Sequence, residues 1–308
     1  MKRHLTIVAI GLVAVLLLQT VAAVVIADGA LHNHRKPLKA ADRAFALESA
    51  QQNDATIQDA EIDSYDGAHL YGWFFRPNHG NGETVVLIHG HADNRSGMKR
   101  LARLFLRHRF AVLTADVRAH GESGGEFGTF GINEASDLSR WVDWIKARDD
   151  HGCVFGLGES LGASILLQAV SKEPRLCAAV AESPYASFRE VAYDRMGQRF
   201  GAGDGVGRTI FRPLVSEGFL YAKLKYGVDL DQSDPADAVA QTHVPVLLIH
   251  GMDDFNIPLR HCEAILKNHS GPMGLWQVSG AGHTGAFGTD PEEFERRVTT
   301  WFSRYDGK

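Results

Sequence analysis

A serine, an aspartate and a histidine, far apart in the chain, have the surroundings that nucleophilic catalysis needs. Ser160 lies in Gly158-Glu159-Ser160-Leu161-Gly162, which fits the pattern Gly-x-Ser-x-Gly. The chemistry of that pattern requires a sharp strand-to-helix turn. The turn lifts the hydroxyl above a sheet and aims a helix N-terminus at developing negative charge. Gly121-Glu122-Ser123-Gly124-Gly125 fits the pattern too, but turn formers follow it. Ser160 instead follows the apolar run VFGL and opens the helical run ASILLQAV. Ser160 is therefore the candidate nucleophile, and Ser123 reads as a loop residue. Glycine suits positions 158 and 162 because side chains would clash in so tight a turn. A serine hydroxyl is a poor nucleophile and needs a base, which must itself be oriented. Asp254, just past VPVLLIHG, and His283, in the glycine-rich loop after GLWQVSG, can supply acid and base in the order Ser, Asp, His.

Such residues meet only if the intervening segments bring them to one edge of a sheet. Continuous apolar runs of the kind buried on both faces of a sheet occur at 84–90, 110–116, 153–160, 177–183, 244–251 and 274–280. Helical spacing falls between them, at 98–106, 133–147, 163–170 and 258–267, and again at 290–302. Asn133 and Asp290 are the candidate caps of two of these helices. Alternation around Asp66-Gly67 predicts a hairpin ahead of the first buried run. The pattern predicts an α/β domain with a doubly wound, mostly parallel sheet, whose site lies at the carboxyl ends of the strands. No internal repeat is present.

At these strand ends the chain resembles the α/β-hydrolases over residues 55–308. The resemblance rests on Leu87-Ile88-His89-Gly90, Asp116-Val117-Arg118-Ala119-His120-Gly121-Glu122-Ser123, the turn at Ser160, His250-Gly251-Met252-Asp253-Asp254 with Pro258, and Gly280-Ala281-Gly282-His283. It is similar to compact serine hydrolases of the prolyl-oligopeptidase catalytic type. The resemblance implies a catalytic set of Ser160, Asp254 and His283, with an oxyanion hole made by the backbone N–H groups of His91 and Leu161. It places the acid four residues before the proline, at Asp254 rather than Asp253, which reads as a turn-capping carboxylate. It also implies a cap inserted at about 184–240, and no cofactor or metal. The glycine-rich stretch 201–207 would be a hinge in that cap, whose apolar residues either shape a pocket for apolar acyl chains or simply pack the insertion onto the core. Asp116, Arg118 and His120 read as ties for the loop after the second buried strand. Glu134 and Asp137 read as a solvated or loop-anchoring pair, and Glu159 as either a buried hydrogen-bonded carboxyl or a group that tunes the catalytic residues.

The first 27 residues form a separate region. Lys2, Arg3 and His4 precede an uncharged stretch from Leu5 to Ala27, long enough as a helix to cross a bilayer. Two readings compete, a cleaved signal peptide and an uncleaved transmembrane anchor; Val25-Ile26-Ala27 is a poor signal-cleavage site, so the anchor is expected, with 28–54 as a linker containing a short helix. The basic N-terminus favours a globular part outside the cytoplasm.

A net charge of −5 without a long basic run argues against a nucleic-acid binder. The three cysteines, Cys153, Cys177 and Cys262, are too few for a disulfide framework, and Cys153 and Cys177 read as small buried hydrophobes. The expected activity is hydrolysis of ester, thioester or amide bonds on a small-molecule or lipid-like acyl substrate. The alternatives are an acyltransferase or peptidase using the same residues, and an inactive membrane-tethered interaction protein. His89-x-His91-x-Asp93 also matches the start of a zinc-hydrolase signature, but Asn94 stands where its next histidine should be.

Overall fold

The computed structural model describes residues 2–148, 152–201 and 204–307. Eight strands form one sheet in the order β1-β2-β4-β3-β5-β6-β7-β8. They are β1 (Ala55–Asp63), β2 (His69–Pro77), β3 (Thr84–Ile88), β4 (Ala111–Ala115), β5 (Val154–Glu159), β6 (Leu176–Glu182), β7 (Val246–Gly251) and β8 (Met273–Val278). The hairpin β1–β2 joins the rest through an antiparallel β2–β4 pairing, and every pairing from β4 to β8 is parallel. The central strands β3, β5 and β7 are buried along almost their whole length, as their continuous apolar runs require.

Helices cover both faces. On one side lie α2 (Ala40–Gln52), α3 (Lys99–Arg107), α11 (Ala286–Thr289) and α12 (Pro291–Arg304), packed around Phe105, Phe155, Phe294 and Phe302. On the other lie α4 (Glu134–Lys146), α5 (Leu161–Ala169), α9 (Pro235–Val239) and α10 (Arg260–Asn268), around Leu138, Trp141, Leu166 and Ile265. Asp290 caps α12 by accepting from the Glu293 amide. Over the strand ends lie α6 (Phe188–Arg199), α7 (Asp204–Thr209) and α8 (Arg212–Tyr226), joined by the long N-terminal helix α1 (Lys2–Leu31).

Five expectations need correction or refinement. The first helix does not stop at Ala27 but runs to Leu31, so the stretch 28–54 begins inside it and then contains α2. Asn133 precedes α4 without a side-chain cap bond, because Glu134 has taken over that turn. Glu134 accepts from the amides of Thr129 and Gly131 and from the Thr129 hydroxyl. Of the two readings of the Glu134 and Asp137 pair the loop-anchoring one holds: Asp137 pairs with Arg118 at 2.7 Å, and both carboxylates are buried. Cys153 and Cys177 form a disulfide with a Cα separation of 5.7 Å. The cause is strand pairing: β5 and β6 are neighbours, and the thiols face each other at the start of the pair. Within the glycine-rich stretch 201–207, residues 202 and 203 lie outside the described residues, and Asp204 to Thr209 form α7 rather than an open hinge.

Candidate active site

The turn between β5 and α5 holds Ser160 at φ +54°, a conformation that L residues rarely adopt. Such a backbone costs about 1–3 kcal/mol and persists only where the surroundings over-determine it. Here they do. A Cβ at Gly162 would lie 2.2 Å from the Ile88 carbonyl oxygen, and one at Gly158 would lie 2.4 Å from the Gly162 carbonyl. Only glycines let β3, β5 and α5 close on one another at this point. The Ser160 amide donates to the Glu182 carbonyl at 2.8 Å, fixing the turn to β6.

The hydroxyl so presented meets the two other predicted residues. His283 Nε2 lies 2.8 Å from Ser160 Oγ, and His283 Nδ1 lies 2.8 Å from Asp254 Oδ2. Asp254 follows β7, and its second oxygen accepts from the amides of Asn256 and Ile257, both at 2.9 Å. Burial pushes its carboxyl up, but the bonds from His283 and the Ile257 amide outweigh this and hold it below the ordinary carboxylate range. Asp253 is exposed and takes no part. His91 and Leu161 both line the cavity that contains Ser160. Leu161 is the first residue of α5, where a backbone N–H has no acceptor within the helix.

The other singled-out residues serve the frame. His89 donates from Nδ1 to the Gly90 carbonyl at 2.8 Å and accepts the Val117 amide on Nε2 at 3.0 Å, so both ring nitrogens are used by backbone. Burial, with His120 nearby, pushes the His91 ring down to about 4. Among the described residues, no group of three or more His, Cys, Asp or Glu side chains is placed to hold a metal. Asp116 accepts from the amides of Arg95 and Glu122, Arg118 bridges Asp137 and Asp66, and His120 bonds the Arg118 carbonyl. Ser123 donates to the Asp116 carbonyl and accepts the Tyr71 amide, which makes it a buried loop tie.

Three supporting groups have roles that the sequence reading did not assign. Ser183, fully buried at the end of β6 with φ +52°, takes the Thr284 amide on its hydroxyl and touches the Asp254 carboxylate. Glu182 accepts the Ala286 amide at 2.9 Å and so positions the stretch after His283. Burial raises both Glu182 and its cross-strand neighbour Glu159 above the ordinary range, and proximity to Glu182 raises Glu159 further. His250, buried beside Asp254, donates from Nε2 to the Ile257 carbonyl at 3.0 Å. The available signal for all three was position, since each lies on a strand whose end carries the chemistry.

A cavity of about 270 Å³ opens at Ser160, close to the lower end of the ~300–1,000 Å³ typical of small-molecule sites. Its walls come from α5, α6, α8 and α1, and most of them are apolar.

The model of the alpha/beta hydrolase family matches residues 85–297. The chain belongs to that family. As an alpha/beta hydrolase it is similar to YqkD of Bacillus subtilis, an uncharacterised protein, at 27% identity over 255 residues, covering 82% of this chain and 80% of that protein. Among solved structures it resembles the Pyrococcus furiosus esterase Pf2001, with a TM-score of 0.68 and 22% identity over 89% of this chain and 99% of that one. It also resembles the Pyrococcus horikoshii acylaminoacyl peptidase, with a TM-score of 0.63 and 15% identity over 83% of this chain and 42% of that one. Likeness at these identities speaks for the fold.

Proposed function

We propose that this hydrolase is a serine esterase that cleaves acyl esters through an acyl-enzyme. The observation that carries the reading is the unbroken hydrogen-bonded line from Asp254 through His283 to a serine held at positive φ. In the first half-reaction Ser160 Oγ attacks the ester carbonyl while its proton passes to His283 Nε2. Asp254, already ionised, holds Nδ1–H and stabilises the imidazolium. The amides of His91 and Leu161 receive the oxyanion, an effect of about 2.7–4 kcal/mol per donor in comparable sites. The imidazolium then protonates the departing alkoxide, leaving the acyl group on Ser160. Water, deprotonated by His283, attacks that ester and restores the serine.

One observation supports ester over peptide substrates: the cavity beside Ser160 is walled mostly by apolar residues, among them Phe188, Val191, Leu214, Val215 and Phe219, which suit an acyl chain. The Cys153–Cys177 disulfide favours an oxidising compartment, and so supports a domain held outside the cytoplasm by α1. Among the described residues α1 is the one helix long and apolar enough to cross a membrane.

The test is turnover of p-nitrophenyl acyl esters by the full chain in detergent. Ser160→Ala is expected to lower kcat by at least about 10³-fold with an unchanged circular dichroism spectrum. Retention of most of the activity would refute the assignment.

A further inference from the structure

The N-terminal helix enters the catalytic cavity. Ala23, Ile26, Ala27 and Ala30 of α1 line the same space as Ser160. The helix is fixed there by α8. Gln19 donates to Glu217 at 2.7 Å, Tyr221 donates to Asp28 at 2.9 Å, and Tyr226 bonds the same carboxylate. Gly218 lets the helices close: a Cβ there would lie 3.2 Å from the Ala27 Cβ and 3.3 Å from the Ala23 carbonyl. Three of the four wall residues are alanine, which leaves room beside the helix rather than filling it.

The same helix changes character along its length. Its large apolar residues from Leu5 to Val21 are exposed, whereas Ala23, Ala27 and Leu31 are buried against the domain. Residues 5–22 measure about 27 Å as a helix, close to the ~30 Å of a hydrocarbon layer. With residues 5–22 in such a layer, the Gln19–Glu217 contact would lie at its domain-side edge, about one turn from the first wall residue. Because Gln19 meets Glu217 and Asp28 meets Tyr226, α1 and α8 run the same way. The start of α8 thus points back towards the membrane side. Ile210, 69% exposed, and Phe200, 61% exposed and stacked at 4.8 Å on Phe211, lie at that end.

We infer that α1 is the membrane-side wall of the acyl site, and that the substrates are long-chain acyl esters whose chains pass from the bilayer along α1 to Ser160. The inference rests on the serine esterase reading. A water-borne short ester needs neither a 270 Å³ apolar space nor a wall continuous with a hydrophobic helix. A chain drawn from lipid along that wall stays in apolar surroundings until its carbonyl reaches the polar strand ends, so its exposure to water is never required.

The experiment uses the full chain in phosphatidylcholine vesicles and a fluorophosphonate bearing a long alkyl chain with a diazirine midway. After Ser160 is labelled, irradiation is expected to cross-link the chain to the α1 peptide that contains residues 23–30. Cross-links confined to α6 or to the sheet would overturn the inference while leaving the esterase reading intact. Absence of any labelling at Ser160 would instead remove the reading on which it rests. A second measurement compares p-nitrophenyl palmitate with p-nitrophenyl acetate. Ala27→Trp is expected to lower the palmitate-to-acetate ratio of kcat/KM by about ten-fold or more, the usual scale for a blocked apolar pocket. Val25→Trp, on the exposed side of α1, is expected to leave that ratio unchanged. Equal ratios in all three proteins would contradict the proposal. If Ala27→Trp does not accumulate, Ala30→Leu reads the same wall.

Discussion

The floor and the roof of the cavity are built on different physics. The floor is the edge of a parallel sheet, where Ser160, Asp254, Ser183, Glu182 and His283 lie at or just beyond the ends of four strands. Their side-chain hydrogen bonds tie these strand ends to one another and to the loops that follow them. The roof is made of α1, α6 and α8, whose contacts with the cavity are apolar apart from Arg195, and α1 is held by a few polar bonds at its rim. Polar networks in a buried setting have one good geometry, whereas apolar walls tolerate many. The floor should therefore set the rate for every substrate, and the roof should set which acyl chains are chosen.

The largest expected effect breaks the floor. Asp254→Asn should lower kcat by about 10³–10⁴-fold, because the amide favours the wrong tautomer of His283. The loss should be equal for acetyl and palmitoyl esters, which a chain-length series would check. A loss confined to long chains would merge the two regions and refute the division. Next comes the staple under the floor. Removing the Cys153–Cys177 bond, which closes a loop with a sequence separation of 24, should cost about 3 kcal/mol. Calorimetry of Cys153→Ser should show Tm lower by roughly 5–10 °C, with the chain-length preference kept.

Much of the floor was legible in the sequence, and the reason is physical. Strands buried on both faces must be continuous apolar runs, so β3, β5 and β7 stand out, and the residues just after them are candidates for the site. The tight turn at Ser160 demands glycines at 158 and 162, which left a visible pattern. The choice of Asp254 over Asp253 came from the family resemblance, which sets the acid four residues before the proline, and Asp254 is the one that is buried and bonds His283. Pairing between strands left no such mark. Cys153 and Cys177 look like ordinary small apolar residues until β5 and β6 lie side by side. Whether Glu134 and Asp137 were solvated or loop-anchoring stayed open in the sequence, because nothing in a helical repeat announces the loop amides and the arginine that they bind. The roof was least legible. Ala23, Ala27 and Gly218 are unremarkable in an apolar helix and a cap, and their meaning arises only from the approach of α1 to α8.

Two smaller effects sharpen the comparison. Burial raises Glu159 and Glu182, so the folded state holds protons that the unfolded chain would release. Their contribution is complete below the ordinary carboxyl range and is lost as pH rises through the raised values. Asp254 has the opposite sign: its contribution is present above its ordinary value and is lost as pH falls through the lowered one. Thermal melts from about pH 5 to about pH 8 should therefore show Tm falling with pH, and Glu159→Gln should flatten that fall by about 2–4 °C. The smallest effect belongs to the roof. Asp28→Ala removes the bonds from Tyr221 and Tyr226 and should loosen α1, reducing the palmitate-to-acetate ratio by about three-fold, as expected for partial loss of one apolar wall. Labelling of Ser160 in that variant should proceed at the parent rate, because no floor contact is touched.

The central claim is that Ser160 is an activated nucleophile. The most direct measurement is the rate and position of labelling by a short fluorophosphonate on the full chain, read by peptide mass spectrometry. The account predicts one modified residue, Ser160, with labelling abolished in Ser160→Ala and slowed by orders of magnitude in His283→Ala. Modification at another serine, or equal labelling of the parent and the His283→Ala protein, would contradict it.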